Sequence, residues 1–123
     1  MPEHIYFFDS YAIIAIILGN ENYSNYTHTI ALTTKLNLFE VYYALLRDLG
    51  KESADEFLDT YRGLVVDFNN DIIKEAAQLR LTNKKRDMSM TDCIGYCLAK
   101  QWGVKFLTGD KEFEHMDNVE FVK

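Results

Sequence analysis

Polar and apolar positions along this chain fall into two textures. Short, largely apolar runs of strand length occur at Ile5 to Phe8, Ile30 to Leu32, Leu64 to Phe68, Val104 to Leu107 and Val119 to Val122. Between them lie longer stretches in which apolar residues recur at helical spacing. These are Tyr11 to Leu18, Lys35 to Leu49, Glu52 to Arg62, a segment opened by Asn70 or Asp71 and running to about Lys85, and Met90 to Trp102. Length separates the two textures, because a run of a few residues buries well in a sheet but is too short to sustain a helix. The punctuation agrees. Gly19-Asn20 stops the first helix, Thr33-Thr34 can cap the second and Gly50 close it, and Ser89 caps the last before Gly103 ends it. Asn20 to His28 is polar and reads as irregular or as a poorly defined short helix.

Strands alternating with helices predict a parallel sheet, since crossovers between parallel strands need a helix, and they predict helices on both faces to bury it. The expectation is a single three-layer α/β/α domain over all 123 residues, with a central, mainly parallel five-stranded sheet. No repeat, linker or low-complexity tract divides the chain, and the only proline is Pro2. In such sheets ligands bind beyond the carboxyl ends of the strands. Function is therefore sought in the residues just past the end of each strand.

Composition narrows the classes. With 48% hydrophobic and 14% aromatic residues the chain has the material for a core, which excludes disorder as its main state. Two cysteines are too few for a disulfide framework, and a reducing, cytoplasmic setting fits them. The apolar run Ile5 to Leu18 is 14 residues long and is interrupted by Asp9-Ser10. A spanning helix needs about 20 apolar residues, and a secretory signal needs a positive segment before its apolar run. The run is read as a buried strand leading into a buried helix, with no membrane role. Thirteen Lys and Arg face 19 Asp and Glu, a net charge of −6. That argues against a basic surface gripping nucleic acid without regard to sequence.

Each acid near a strand end has a plain structural role open to it. Asp9 or Ser10 can cap the helix at Tyr11, Asp110 can cap a turn around Lys111 to His115, and Asp92 follows Ser89 at the spacing of a capping box. Glu40 is different. Lys35 to Leu49 is apolar nearly all round, which predicts burial on more than one side, and Glu40 shares a face with Leu36, Tyr43 and Ala44. A carboxylate in such company protonates or meets a cation, for instance in an ion pair with Arg47. The conjunction of the four changes the balance. If the first and fourth strands are neighbours, Asp9 and Asp110 emerge side by side, and the helices bearing Glu40 and Asp92 start from the same edge. Two unit charges about 5 Å apart repel by roughly 3 kcal/mol at an effective dielectric of about 20. Such a cluster needs neutralising. A donor set of oxygens alone, without His or Cys at ligand spacing, selects a hard cation such as Mg²⁺ or Mn²⁺ over zinc.

Other features have simpler readings. Arg80, Lys84, Lys85 and Arg86 form a basic stretch for which a solvated helix end suffices. Cys93 and Cys97, one helical turn apart, read as small core residues. His4, His28 and His115 are too scattered to suggest an acid–base pair. Tyr23, Tyr26, Tyr42, Tyr43, Phe57 and Tyr61 enrich the first half in aromatics, for core packing or for a homodimer face or partner-helix groove.

Taken in order, four pieces of the chain resemble the PIN-domain nucleases, including the VapC-like toxins of bacterial and archaeal toxin–antitoxin pairs. They are Ile5-Tyr6-Phe7-Phe8-Asp9-Ser10; Leu32-Thr33-Thr34 leading into Leu38-Phe39-Glu40-Val41; Met90-Thr91-Asp92-Cys93-Ile94; and Leu107-Thr108-Gly109-Asp110 with Phe113 after it. The resemblance covers almost the whole chain. It implies a compact α/β/α sheet with an acidic Mg²⁺ or Mn²⁺ site that cleaves phosphodiester bonds, usually of RNA. On this sequence it makes Asp9, Glu40, Asp92 and Asp110 the catalytic, metal-binding acids, with Ser10 and Thr108 as supporting hydroxyls. It also implies an RNA substrate, a cognate antitoxin protein and a homodimer. Cations bridging an acidic site to phosphate would reconcile the net negative charge with RNA. Glu112, Glu114 and Asp117 crowd the last turn and leave the choice of any fifth acid open, while Asp67 ends a predicted edge strand and stays outside the site.

Two rival readings remain at this level. A phosphoacceptor receiver domain is similar in length, acidity and alternating order, with Asp67 as acceptor. That family expects paired acids after the first strand and Lys-Pro after the fifth, whereas this chain has Asp9 alone and no proline beyond Pro2. The other rival is a PIN-like fold used only for protein binding.

Overall fold

The computed structural model describes residues 4–123; Pro2 and Glu3 lie outside them. Four strands, β1 (Ile5–Phe8), β2 (Ile30–Leu32), β3 (Lys105–Thr108) and β4 (Val119–Phe121), form one sheet in the order β2-β1-β3-β4, and every pairing is parallel. The helices are α1 (Ser10–Ile17), α2 (Lys35–Leu49), α3 (Lys51–Tyr61), α4 (Asn70–Thr82) and α5 (Met90–Trp102). Their boundaries follow local chemistry. Thr34, Asn69 and Ser89 each accept a backbone N–H at a helix start, and Gly50 and Gly103 end helices at φ values of +99° and +71°, which side chains rarely adopt. The polar stretch after α1 closes into a tight helical turn, Glu21–Tyr26, capped by Asn20. Its Tyr23 hydroxyl reaches across to donate to the Val122 carbonyl at 2.6 Å.

Alternate side chains of the two inner strands feed two cores. Phe7 and Phe106 point into one, with Ile72 and Ala76 of α4 and the buried face of α5. Phe8 and Leu107 point into the other, with Ala12, Ile13, Leu38, Val41, Leu45, Ala54 and Phe57 from α1, α2 and α3. This is the helix–sheet–helix layering that parallel strands require. A Cβ on Gly95 would stand 2.7 Å from the Phe7 ring, so glycine lets α5 lie directly on the central strand. Cys93 and Cys97 are buried, unbridged parts of that packing. Among the described residues no helix is long and apolar enough to cross a membrane.

Two expectations are corrected. Leu64 to Phe68 is not a strand, and among the described residues the sheet has four strands rather than five. Arg62–Leu64 closes into a tight helical turn, after which only Val65 bridges Thr33 in parallel. The segment lies on the outer side of β2, but β2 is three residues long and offers Thr33 alone beyond its end, whose N–H and C=O take Leu64 and Val66. Helix α2 is not buried all round either. Asn37, Leu38, Val41 and Leu45 form its buried stripe, while Phe39, Tyr43, Leu46 and Leu49 stay exposed because α1 and α3 cover it from one side. Glu40 is consequently half-buried.

Candidate active site

Parallel strands put all their carboxyl ends on one edge, and β1 and β3 are neighbours there, with Phe8 opposite Leu107. Asp9 continues β1, its N–H donating to the Leu107 carbonyl at 3.1 Å. It occupies the N-cap position of α1 with extended backbone, yet its side chain makes no capping bond. The carboxylate turns toward β3 instead, where Oδ2 accepts from the Thr108 hydroxyl at 2.7 Å. Oδ1 is buried and has no hydrogen-bond partner. Asp9 is only 2% exposed, and burial, together with repulsion from Asp92 and more weakly from Glu40, pushes its carboxyl up to about 8. The Thr108 hydroxyl and the adjacent Ser10 N–H oppose that shift.

The other three acids reach this point from separate elements. Asp92 sits in the first turn of α5 in a reciprocal capping box: Ser89 N–H donates to its Oδ2 at 3.0 Å, and its own N–H donates to the Ser89 hydroxyl at 3.1 Å. Burial raises its carboxyl above the usual range against the pull of those Ser89 bonds, and repulsion from Asp110 and Glu40 adds to the rise. Glu40, on α2, accepts from the Ser10 hydroxyl at 2.7 Å and not from Arg47, which pairs with its neighbour Asp48. Asp110 follows β3. Its N–H donates to Thr108 Oγ1 at 3.1 Å and its Oδ1 accepts from Glu112 N–H at 3.0 Å, capping the turn Lys111–Phe113. Gly109 is held in place by the fit of the turn: a Cβ there would lie 2.3 Å from the Tyr11 ring and 2.5 Å from the Val122 carbonyl oxygen.

The structure thus brings Asp9, Glu40, Asp92 and Asp110 to one edge of the sheet, where Asp92 feels both Asp110 and Glu40 and Asp9 feels both Asp92 and Glu40, with Ser10 and Thr108 bonded to two of them. Among the described residues no three acids, histidines or cysteines stand as a ready-made cation cage. Ser89, Ser10 and the Glu112 N–H each bond one of these carboxylates. Among the described residues, Asp9 Oδ1 is the buried side-chain oxygen left without a partner. Of the acids crowding the last turn, Asp117 precedes β4 and therefore lies at the opposite end of the strands, where it accepts from the Tyr96 hydroxyl at 2.7 Å. Glu114 is exposed. Asp67 is exposed and outside the sheet, so the phosphoacceptor reading that names it as acceptor finds it away from the central strand ends.

Sequence reasoning misses Asn37. It is fully buried, donates from Nδ2 to Ser10 Oγ at 3.0 Å and accepts at Oδ1 from the Thr34 hydroxyl at 2.6 Å. Its signal in the sequence is an amide one turn before Glu40 and three residues after a capping threonine.

Comparison with known proteins places this geometry. The fold is shared with VapC20 of Mycobacterium tuberculosis, a sarcin–ricin loop cleaving toxin, at a TM-score of 0.76 and 16% identity, covering 96% of this chain and 99% of that one. A toxin–antitoxin complex from Klebsiella pneumoniae matches at 0.73 and 17% identity over 94% and 95% of the two chains. VapBC2 from Rickettsia felis, bound to a DNA fragment from its promoter, matches at 0.71 and 19% identity over 97% and 99%. No curated protein matches the sequence. The PIN domain family model matches residues 6–119, and the chain belongs to that family.

Proposed function

We propose that this protein is a Mg²⁺- or Mn²⁺-dependent endoribonuclease, the toxin of a type II toxin–antitoxin pair acting in the cytoplasm. The observation that carries this reading is the bare, buried Oδ1 of Asp9 within repulsive reach of the Asp92 and Glu40 carboxylates. An unpaired acid so placed costs stability in the free protein, and a hard cation is the ligand that an all-oxygen set fits. Asp9, Glu40, Asp92 and Asp110 would hold it. Cation binding there supplies activation of water and neutralisation of the charge that builds on a phosphodiester during in-line displacement of the 3′ oxygen. The chain's own residues do the rest. The Thr108 hydroxyl fixes Asp9, the Ser10 hydroxyl fixes Glu40, and the capping bonds hold Asp92 and Asp110 on rigid element ends.

The antitoxin and homodimer belong to the same proposal. One structural relative is named as a toxin–antitoxin complex, and this chain exposes apolar area for partners: Phe39, Tyr43, Leu46 and Leu49 along α2, and Leu81 and Met90 at a groove of about 690 Å³ between α4 and α5. The test is cleavage of single-stranded RNA by the purified chain. Cutting is expected with Mn²⁺ or Mg²⁺ and none with EDTA. Intact RNA in both metals, from protein shown to be folded by circular dichroism, overturns the reading.

A further inference from the structure

We infer that Asn37 is a positioning residue for the Glu40 carboxylate, acting through Ser10; the inference rests on the cation-dependent reading above. The order of protons along this chain of side chains is fixed by what each group can donate. The Glu40 carboxylate oxygen accepts, and the single hydroxyl proton of Ser10 goes to Oε1, at 2.7 Å. Ser10 oxygen is then left to accept, and the group facing it is the Asn37 amide, Nδ2 at 3.0 Å. The amide is locked at its other end as well. Thr34 accepts the Asn37 N–H at 3.2 Å and spends its own proton on Asn37 Oδ1 at 2.6 Å. Each of Thr34, Asn37 and Ser10 therefore has one arrangement that satisfies it, and in that arrangement the Ser10 proton points at Glu40.

Glu40 needs this help more than its neighbours. Asp92 and Asp110 are short side chains held by backbone N–H groups of their own segments. Glu40 has one more methylene and is half-buried, and Ser10 is its one hydrogen-bond partner among the described residues. Asn37 and Glu40 lie one turn apart on α2 and hold Ser10 of α1 between them, so the same bonds that aim the carboxylate also set the two helices in register. Asn37 itself is 0% exposed and out of reach of any substrate. Its effect passes through Ser10 or not at all.

A double-mutant cycle tests this, with Mn²⁺ affinity by calorimetry and urea stability measured on the same proteins. Asn37→Leu keeps the volume and removes the amide, and Ser10→Ala removes the link. Each is expected to weaken Mn²⁺ binding by roughly tenfold or more, as loss of a group that orients a ligand does, and the double variant is expected to bind no worse than the weaker single one. Losses that multiply in the double variant overturn the inference, as does Asn37→Leu that is less stable but binds Mn²⁺ like the parent. If Asn37→Leu fails to fold, Thr34→Val in the parent and Ser10→Ala backgrounds carries the same cycle, with a smaller loss in the parent and none further in Ser10→Ala. A parent that binds no Mn²⁺ overturns the proposed function and this inference together, whereas a binding parent with an additive cycle overturns this inference alone.

Discussion

Two helices begin beside the same cluster of acids and begin in opposite ways. At α5 the cap is reciprocal: Ser89 accepts the Asp92 N–H, and Asp92 accepts the Ser89 N–H. At α1 an aspartate stands in the capping position with capping backbone geometry and does not cap. Its carboxylate is turned into the sheet, with one oxygen on Thr108 and the other on nothing. A missing cap costs about 1 kcal/mol, and a buried unpaired acceptor costs about 1–3 kcal/mol more. The contrast separates an acid that serves the fold and the cluster at once from one that serves the cluster at the expense of the fold.

Replacing the acid that does not cap gives the largest expected effect. Asp9→Asn should lower metal-dependent RNA cleavage by at least about 100-fold. Its melting temperature without metal should stay at or above the parent's, since the change removes the cost of holding a buried acid protonated that the unfolded chain would ionise. Intact cleavage by a less stable Asp9→Asn protein would reverse the contrast.

Dependence on pH comes next. The folded chain keeps a proton on Asp9 up to about 8, while the unfolded chain releases it near 3.8. Between those values the unfolded state binds fewer protons than the folded one, so the metal-free protein should lose stability as pH rises through that window and level off above it. The change is on the order of a few kcal/mol, and Asp92, shifted the same way, adds to it. Urea midpoints measured in EDTA across the window check this; a flat profile would mean that Asp9 is not protonated in the fold. Asp9→Asn should remove most of the slope.

The smallest effect tests the other helix. Ser89→Ala should cost about 1 kcal/mol by urea denaturation through loss of the cap, a loss with no counterpart at Asp9. No change in the urea midpoint would show that α5 does not depend on its box.

Much of this contrast is legible in the sequence, and the illegible part has physical causes. The bounds of Lys35–Leu49 and Met90–Trp102 agree between sequence and structure because Thr34, Ser89, Gly50 and Gly103 are strong local signals. Asp9, Asp92 and Asp110 stand out because each lies at the end or the opening of an apolar element, and Glu40 because it lies within one. Leu64 to Phe68 misleads because strand-like composition says nothing about whether a neighbouring strand is long enough to pair with it. Burial of α2 is overestimated because apolar residues all round a helix state what can be buried, not what the surrounding layers cover. Asn37 escapes notice since an amide carries no charge and its value lies in partners distant in sequence or hidden in the turn.

The hydrogen bond from Thr108 to Asp9 joins residues 99 positions apart. The two inner strands come from opposite ends of this sequence, so a nascent chain emerging from the ribosome carries Asp9, Glu40 and Asp92 well before it has the strand that buries the first of them. Domains assemble as their segments become available during synthesis, and here the last inner segment to arrive closes the acidic cluster. The acidic cluster of a nuclease of the kind proposed therefore forms only when β1 and β3, distant in sequence, have paired.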